Sequence, residues 1–391
     1  MTTTAVEVHG QCDTRFTRVK EAFAENFAQG LEVGASLSLM VDGKMAVDLW
    51  GGYADGARTR PWERDTIVNV FSTTKGMTTI CAHRLVDQGL LDVDAPVARY
   101  WPEFAQAGKE DLPVRYLLSH RAGLPALRQF LPPGAGYNWD AFTSALAATE
   151  PWWAPGTMHG YHAVTFGHLV GEVIRRLCGV SVGTHFRKEV AEPLGLDFHI
   201  GFGPELDSRV ADMISAPLLD LTADHPMAKV LADPTSMNFR AFNMSLDSMT
   251  TPGFMNTREW RAAEIPAANG HGNARALARV YGALARGGEL DGVRVLSRAA
   301  IEAATVEQSY GPDAILLMPS RFGLGFMLDD PELRLTPNAT LFGHAGLGGS
   351  LGFADPEAKI GFGYTMNNMI FSLDLLDPRW KPLLDAVYAS L

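Results

Sequence analysis

The spacing of hydrophobic and polar positions changes several times along the chain. Residues 34–55 contain two β-rich runs joined by Asp42-Gly43. Because this pair readily adopts the positive φ angles of a tight turn, the segment predicts a β-hairpin. From Ser72 to about Gly89 the apolar residues recur at helical intervals instead. This second pattern predicts a long, mostly buried helix with Gly89 as its C-cap.

Helical spacing dominates the middle of the chain, and strand patterns return towards its end. Helices separated by loops rich in proline and glycine are predicted at 140–149, 163–178 and 273–286. Strand patterns occupy 321–328, 341–355 and 359–368, and an amphipathic helix is predicted over 377–391. Strands near both ends, with helices between them, indicate one sheet built from both termini.

These elements predict an α+β fold in which helices flank an antiparallel sheet and a mostly helical domain is inserted. We place the discontinuous sheet domain at 1–110 and 290–391. The inserted domain occupies 111–289, and its long loops are expected to border a functional cleft. We find no internal repeat and no low-complexity tract.

The composition suits a globular protein and argues against several partners. Of the 391 residues, 47% are hydrophobic, which is enough for a large core. The net charge of −11 would repel a polyanion such as nucleic acid. The N-terminus lacks the basic start and apolar stretch of a secretory signal, and no run approaches the roughly 18 apolar residues of a membrane span. We therefore expect a cytoplasmic protein without nucleic-acid or membrane partners.

The potential metal ligands are poorly arranged for a metal site. Three cysteines stand at wide spacings that give neither a disulfide framework nor a zinc knuckle: Cys12, Cys81 and Cys178. His159, His162 and His168 lie near one another, but their spacing is not that of HExxH, and no nearby carboxylate or cysteine completes a ligand set. We expect neither a metal nor another cofactor.

Ser72 and Lys75 form an S-x-x-K motif at the predicted start of a buried helix. The amine would lie one turn from the hydroxyl on the same face, and the helix N-terminus would favour a developing anion. Lysine suits this position because a desolvated amine can lose its proton, whereas a guanidinium cannot. The alternative is a serine N-cap followed by a solvated lysine. No other serine in the chain is followed three residues later by a lysine.

Ser350 offers a competing nucleophile, because Gly348-Gly349-Ser350-Leu351-Gly352 fits the G-x-S-x-G elbow of α/β-hydrolases. That elbow requires a helix after the serine and a histidine later in the chain. Here the following segment has a strand pattern, and no histidine follows His344. We therefore interpret the glycines as a bend or a close backbone approach within a sheet.

Ser–Lys chemistry also needs a second proton carrier and an oxyanion hole. Tyr161 follows a Pro/Gly-rich loop and precedes a predicted helix, so its phenol would face the cleft from the end of a loop. A tyrosine in this position can equally serve packing or a structural hydrogen bond. The residue pattern leaves both interpretations open.

Two further segments contain candidates for substrate contact. Trp152 and Trp153 precede Tyr161 and would line an acyl or alcohol pocket, although paired tryptophans also occur in cores and interfaces. His271 lies before the helix predicted at 273–286, in a loop that would border the cleft. In the alternative interpretation this loop serves capping, with Asn273 as the N-cap.

The order of these motifs resembles that of the serine β-lactamase and penicillin-binding-protein superfamily, over about residues 30 to 390. The corresponding segments here are Ser72-x-x-Lys75, Tyr161-His162-Ala163 and His344-Ala345-Gly346. Residues 116–125, YLLSHRAGLP, and the late GLGGSLGFADPEAKIGFGYTMN also look like class C-type β-lactamase-related hydrolases. The resemblance implies a β-lactamase-like fold.

The second and third motifs depart from the β-lactamase pattern. The tyrosine motif is usually Y-x-N, and here Ala163 replaces the amide. The third motif is usually K-T-G, and here His344 and Ala345 replace the cation and the hydroxyl, which suit a substrate carboxylate. These losses weaken the antibiotic and peptidoglycan interpretations. The chain is more similar to the family VIII carboxylesterases, which accept neutral esters.

The resemblance implies that Ser72 attacks an ester carbonyl while Lys75 and Tyr161 take its proton, leaving open which of the two is the formal base. It also implies that the backbone N–H groups of Ser72 and Leu347 bind the oxyanion. His344, with Ala345 and Gly346, would contact the substrate or Tyr161, although His344 could equally be satisfied by backbone groups.

We therefore expect a carboxylesterase acting on small or medium esters. The alternatives are a β-lactamase, D-amino-acid peptidase or amide hydrolase, an acyltransferase, and a non-catalytic binding relative. The sequence leaves the oligomeric state undetermined.

Overall fold

A computed structural model of the chain describes residues 6–215, 233–243, 253–371 and 376–391. Parts of the predicted inserted domain, 111–289, therefore lie outside the described residues. The boundaries proposed for the two domains stay a prediction.

The described residues contain fourteen strands in three sheets. The strands are β1 (Val8–Cys12), β2 (Gly34–Val41), β3 (Lys44–Gly52), β4 (Val68–Asn69), β5 (Phe198–Ile200), β6 (Gly270–Gly272), β7 (Glu289–Leu290), β8 (Val293–Arg294), β9 (Ser309–Pro312), β10 (Pro319–Phe322), β11 (Met327–Leu328), β12 (Phe342–Ala345), β13 (Leu351–Asp355) and β14 (Ile360–Met366). The main sheet has the order β1-β3-β2-β14-β13-β12-β11-β10-β9. The smaller sheets are β4-β6-β5 and the pair β7-β8.

Helices connect these strands and cover the main sheet. The α-helices of the described residues are α1 (Thr17–Ala28), α2 (Thr74–Asp87), α3 (Val114–Leu118), α4 (Trp139–Ala148), α5 (Thr165–Cys178), α6 (Val182–Phe186), α7 (Glu192–Leu194), α8 (Met237–Ala241), α9 (Arg258–Ala262), α10 (Ala274–Ala285), α11 (Arg298–Ala304) and α12 (Trp380–Tyr388). A π-helical segment, Arg187–Ala191, joins α6 to α7. Short 3-10 helices occupy Thr14–Phe16, Val97–Arg99, Pro102–Phe104, Ala135–Tyr137, Pro204–Arg209 and Phe254–Asn256.

The main sheet is antiparallel and joins the two ends of the chain, as predicted. Strand β14 pairs with β2 from Ile360 opposite Val41 to Met366 opposite Ala35. The β2–β3 hairpin turns at Asp42 and Gly43, whose φ angles are 46° and 81°. These positive angles explain why the sequence uses Asp-Gly there.

Two segments predicted as strand patterns are hairpins in the structure. Residues 321–328 divide between β10 and β11, and residues 341–355 between β12 and β13. The connecting loops contain Gly325, Gly348 and Gly349, with φ angles of 97°, 85° and 124°. The apolar pattern continues across these glycines, so periodicity alone did not locate the turns.

The predicted helices 72–89, 140–149, 163–178, 273–286 and 377–391 correspond to α2, α4, α5, α10 and α12. Helix α10 packs against β14, β2 and β13 at very short range. A Cβ added to Gly361 would lie 2.1 Å from Gly282 N, and one added to Gly363 would lie 2.2 Å from Ala274 O. Glycine is therefore required at both strand positions for this contact.

Helix α1 and strand β1 extend the fold beyond the predicted elements. Strand β1 pairs with β3 at the edge of the sheet, and α1 packs against α12. In the described ranges, none of the helices combines the length and apolar character needed to cross a bilayer.

Candidate active site

Ser72 lies in a tight corner between β4 and α2, residues 70–74, which we call the serine corner. Phe71 has a left-handed φ of 43°, so the chain turns sharply just before the serine. Ser72 O accepts a hydrogen bond from Lys75 N at 2.9 Å. Ser72 itself is half-buried. The corner therefore places the hydroxyl one turn ahead of the lysine, at the edge of the protein interior.

The Lys75 amine is enclosed by protein and is 0% exposed. Its Nζ donates hydrogen bonds to Ala163 O at 2.7 Å and to Ala267 O at 3.0 Å. A third contact joins Nζ to Ser72 Oγ at 3.1 Å. Because burial removes the water that would solvate an ammonium ion, the pKa of Lys75 lies well below its usual value. An uncharged amine beside a serine hydroxyl is suited to abstracting a proton.

Tyr161 reaches the same point from the loop before α5. Its phenol hydrogen-bonds with the Ser72 side chain, and Lys75 Nζ lies 4.6 Å from the centre of its ring. Burial raises the phenol pKa well above its usual value; the hydrogen bond to Ser72 lowers it and the charge of Asp313 raises it. The structure thus brings together the three side chains predicted to act on the substrate.

His344 lies in β12 beside the tyrosine, and the two ring centres are 6.0 Å apart. Its Nδ1 lies 2.6 Å from Ala345 O, so Nδ1 carries the proton and Nε2 is left as an acceptor. Burial lowers the His344 pKa to about 3, with Lys75 contributing in the same direction. Nε2 is buried and has no hydrogen-bond partner among the described residues. The ring is therefore a neutral acceptor next to Tyr161.

The loop between β12 and β13 is bonded to the serine corner. Ser350 Oγ donates to Val70 O at 2.7 Å and contacts Thr73 Oγ1 at 3.0 Å. An added Cβ on Gly346 would lie 2.2 Å from Val70 O, so the two backbones approach closely. Leu347 follows this contact, and its side chain is 40% exposed. Ser350 is a buried structural link, and within the described residues its hydroxyl forms no hydrogen bond with a histidine or lysine side chain.

Trp152 and Trp153 occupy different surroundings. Trp152 packs against an apolar cluster that includes Tyr161, and its Nε1 donates to Ala126 O at 2.8 Å. This cluster also contains Ala163, Ala241, Ile315 and Phe322, with partly buried Met237, Phe242, Leu316 and Met327 at its edge. Trp153 lies behind the tyrosine loop, edge-on to His162 at 6.0 Å. Trp152, and not Trp153, thus packs against the apolar cluster around Tyr161.

The structure does not bring His271 into this group. His271 is the central residue of β6, and its Nδ1 is 2.8 Å from Asn269 O. Its ring stands edge-on to Phe202 at 5.0 Å. Neither contact involves Ser72, Lys75 or Tyr161, so the predicted substrate role of His271 gains no support from its surroundings. Asn273 caps α10, as its alternative interpretation predicted, because its side chain accepts from Ala276 N.

Sequence reasoning missed several groups that shape the site. The carbonyls of Ala163 and Ala267 bind Lys75, but backbone acceptors leave no signature in the residue types. His120 contacts the Tyr161 ring at 5.0 Å. It lies in the 116–125 segment on which the family resemblance partly rests, which was an available signal. Asp313 accepts from Tyr161 N at 2.9 Å, and nothing in its local sequence pointed to this contact.

Among the described residues, no group of three or more His, Cys, Asp or Glu side chains is arranged to hold a metal ion. The residues around Ser72 are suited to proton transfer and to binding an apolar group.

A family model described as Beta-lactamase matches residues 23–380. The chain belongs to this beta-lactamase family. Among its relatives, Esterase/beta-lactamase LipL of Mycobacterium tuberculosis is 40% identical over 380 residues, which cover 95% of this chain and 85% of LipL. Two solved structures are also similar to this chain.

A family VIII carboxylesterase is 44% identical with a TM-score of 0.87, and the match covers 98% of this chain and all of that one. A novel penicillin-binding protein homologue from Caulobacter crescentus is 41% identical with a TM-score of 0.89, at 98% and 100% coverage. These findings confirm the predicted family and its β-lactamase-like fold.

Proposed function

We propose that this beta-lactamase-family chain is a serine hydrolase that cleaves small or medium carboxylic esters through an acyl-serine intermediate. The proposal rests mainly on the contact of the Ser72 side chain with both a buried, desolvated lysine and a buried phenol. The relatives named as an esterase/beta-lactamase and as a family VIII carboxylesterase support the same reaction class.

Lys75 is the better candidate for the base. A neutral amine has two N–H groups and one lone pair. The carbonyls of Ala163 and Ala267 accept the two N–H groups, which leaves the lone pair for the Ser72 hydroxyl proton. As the Ser72 oxygen bonds to the ester carbon, its proton passes to Lys75 Nζ and the carbonyl oxygen becomes an anion.

Tyr161 suits the opposite task. Its raised pKa keeps the phenol protonated at neutral pH, so it can donate a proton to the departing alkoxide. The proton that Ser72 gave to Lys75 then replaces the one lost by the phenol. Breaking the carbon–oxygen bond releases an alcohol and leaves the acyl group on Ser72. Attack by water, assisted by the same two groups, would release the acid.

We assign the oxyanion site to the backbone N–H groups of Ser72 and Leu347. The support is the close approach of the 346–350 loop to the serine corner. Such a pair of N–H groups typically contributes about 3 kcal/mol per donor to the transition state. His344 Nε2 would accept a hydrogen bond from Tyr161 or from a substrate donor.

Neutral esters fit this site better than β-lactams bearing a carboxylate. The position that carries a lysine in K-T-G holds His344, whose pKa of about 3 keeps it uncharged. The apolar cluster around Tyr161 and Trp152 would contact an uncharged acyl or alcohol group. The cytoplasmic location stays a prediction.

The substrate class can be tested by comparing turnover of a series of p-nitrophenyl esters with that of a chromogenic cephalosporin. We expect ester hydrolysis to dominate, because the neutral His344 replaces the lysine of K-T-G that would pair with the cephalosporin carboxylate. A large excess of cephalosporin turnover would reject the esterase assignment.

The nucleophile can be tested with a fluorophosphonate probe followed by peptide mass spectrometry. We expect one adduct, on Ser72, and no turnover in Ser72→Ala. Lys75→Ala and Tyr161→Phe should each lower kcat at least about a hundredfold.

Ser350→Ala is the matched serine control. It should keep the Ser72 adduct and cost about 1 kcal/mol of stability for its lost hydrogen bonds. Labelling of Ser350, or an active Ser72→Ala protein, would show that Ser72 is not the nucleophile.

A further inference from the structure

The backbone on both sides of Tyr161 is fixed by three consecutive hydrogen bonds. Tyr161 N donates to Asp313 Oδ1 at 2.9 Å. Gly160 N donates to His120 O at 3.1 Å, and His162 N donates to His120 Nδ1 at 3.0 Å. None of these bonds belongs to a helix or a strand. Two residues distant in sequence therefore hold the loop that carries the phenol.

The Asp313 carboxylate accepts hydrogen bonds from four donors. Besides Tyr161 N, Oδ1 accepts from Ile315 N at 2.8 Å and from Leu316 N at 2.9 Å. Oδ2 accepts from Ser320 Oγ at 2.8 Å. Asp313 is 2% exposed. A carboxylate accepts on both oxygens and has no N–H group to place, so it satisfies all four donors at once.

His159 joins this network from the segment just before Tyr161. Its Nε2 lies 3.1 Å from Ser320 Oγ. Since the Ser320 hydroxyl proton is donated to Asp313, the proton in the contact with His159 belongs to the imidazole. The 159–161 segment thus reaches the carboxylate twice, directly and through Ser320.

Asp313 connects two regions of the fold. It follows β9 and precedes β10 in the main sheet, whereas Tyr161 precedes α5 in the mostly helical region. Ile315 and Phe322 come from the same β9–β10 segment and pack against the tyrosine. The Phe322 ring is stacked on the Tyr161 ring with centres 5.9 Å apart. The carboxylate therefore fixes both the tyrosine backbone and the apolar surface that supports its ring.

We propose that Asp313 is a positioning residue for the hydrolysis described above, holding the Tyr161 phenol against Ser72 without touching the substrate. This inference rests on the proposed function. The charge of Asp313 also favours the protonated phenol, which is the form that donates to a leaving alkoxide. The acid would thus act on the reaction only through the tyrosine.

A double-mutant cycle separates this role from general structural damage. Asp313→Ala is measured in the wild-type and Tyr161→Phe backgrounds with a p-nitrophenyl ester. In the first background we expect kcat to fall about 100-fold, because a small displacement of a reacting group has such an effect. KM should change less than about threefold. In the second background the same substitution should cost less than about twofold, since the phenol it positions is already absent.

Equal losses in the two backgrounds would overturn the proposal, and so would an Asp313→Ala enzyme with kcat within about twofold of wild type. Asp313→Asn keeps an oxygen for the three N–H groups and should retain more activity than Asp313→Ala. An Asn variant no better than Ala would also overturn it. Should thermal melting show that Asp313→Ala is unfolded, the cycle is run with Asp313→Asn, with at least about a tenfold loss expected only when Tyr161 is present.

Asp355→Ala is the matched control. Asp355 is also buried and accepts several hydrogen bonds, among them those from Asn338 Nδ2 and Tyr388 Oη, but it lies at the end of β13 away from the 346–350 loop. We expect lower stability with kcat within about twofold of wild type. A 100-fold loss here too would mean that any buried carboxylate has this effect and would overturn the proposal.

Labelling and ester turnover of the wild-type protein distinguish a failure of the positioning role from a failure of the proposed function. If fluorophosphonate marks Ser72 and the ester is hydrolysed, but the cycle is additive, only the positioning role falls. If Ser72 is not labelled and no ester is hydrolysed, the proposed function falls and the inference with it.

Discussion

The ionisable side chains around Ser72 have pKa values that differ from those of exposed groups. Burial lowers the pKa of Lys75 well below its usual value and raises that of Tyr161, so it favours the uncharged form of both groups. The neighbouring His344 and His162 have pKa values lowered by burial to about 3 and about 4. Burial thus favours a neutral site, in which protons can move between Ser72, Lys75 and Tyr161.

This arrangement predicts a specific pH profile. With Lys75 as the proposed base, the rate follows the deprotonated fraction of Lys75, so kcat/KM for a neutral ester should rise with pH and level off well below pH 10.5. His344 and His162 are already neutral above about pH 5, so their titration should not change the rate above that pH. The measurement is a pH series of kcat/KM with p-nitrophenyl acetate, corrected for spontaneous hydrolysis. A rate still climbing above pH 10 would contradict the assignment.

Lys75→Arg is the matched variant, because a guanidinium carries a permanent positive charge and does not deprotonate in this pH range. We expect a loss of at least about a hundredfold at every pH. Retained activity in Lys75→Arg would show that Lys75 acts only through its positive charge.

At the scale of elements, the first turn of α2 is held against α10 at very short range. A Cβ added to Gly76 would lie 2.1 Å from Tyr281 Oη. Tyr281 is 0% exposed, and its hydroxyl has no hydrogen-bond partner among the described residues. The glycine next to Lys75 is therefore a packing requirement, and it sets how closely the helix carrying Lys75 approaches α10.

We expect Gly76→Ala to destabilise the protein by about 1–3 kcal/mol, because the methyl group has no space. Turnover should fall as well, since the displaced turn carries Lys75. Adding Tyr281→Phe removes the atom that clashes and should restore most of both. Urea unfolding and ester turnover are measured for the wild type, Gly76→Ala, Tyr281→Phe and the double variant. If Gly76→Ala is equally harmful with and without the Tyr281 hydroxyl, this contact is not its cause.

At the scale of the whole molecule, a buried charge cluster joins the two ends of the chain behind the 346–350 loop. Arg379, before α12, bonds to Glu32 at 3.2 Å and also to Asp377. Arg379 and Trp380 donate to Gly348 O and Gly349 O, at 2.5 and 2.8 Å. The C-terminal segment thus supports the loop that contains Leu347.

One cation faces two carboxylates in this cluster, so a single proton makes it neutral. Burial raises the pKa of Glu32 to about 8, opposed by Arg379 and reinforced by Asp377. Glu32 therefore retains a proton at neutral pH, and its Oε1 also accepts a hydrogen bond from Tyr364 Oη.

This proton links stability to pH with a defined sign. Between about pH 4.5 and 8 the native state keeps the Glu32 proton while the unfolded state has lost it, so the free energy of unfolding should fall as pH rises. The expected fall is on the order of a few kcal/mol. Glu32→Gln should flatten this slope, and Asp385→Asn on the exposed face of α12 should leave it unchanged. Denaturant unfolding at several pH values measures it; an unchanged slope in Glu32→Gln would refute the assignment.

The residue order alone determined the broad architecture of this protein and its three principal side chains. Alternation and helical spacing are local properties, so the hairpin at Asp42-Gly43, helix α2 and the late strands could be predicted from them. The motif order predicted that Ser72, Lys75 and Tyr161 belong together. The turns inside 321–328 and 341–355 escaped prediction, because an apolar pattern can continue through a glycine turn.

Only the tertiary structure decided what surrounds these side chains. The carbonyls that bind Lys75, the Asp313 contact to Tyr161 N and the placement of His271 outside the group all depend on segments far apart in sequence. Hydrogen bonds and desolvation act through space over a few ångströms, whereas periodicity reports only which face of an element is apolar. The sequence could therefore indicate which residues are candidates for the reaction, and the fold determines the surroundings that set their pKa values and orientation.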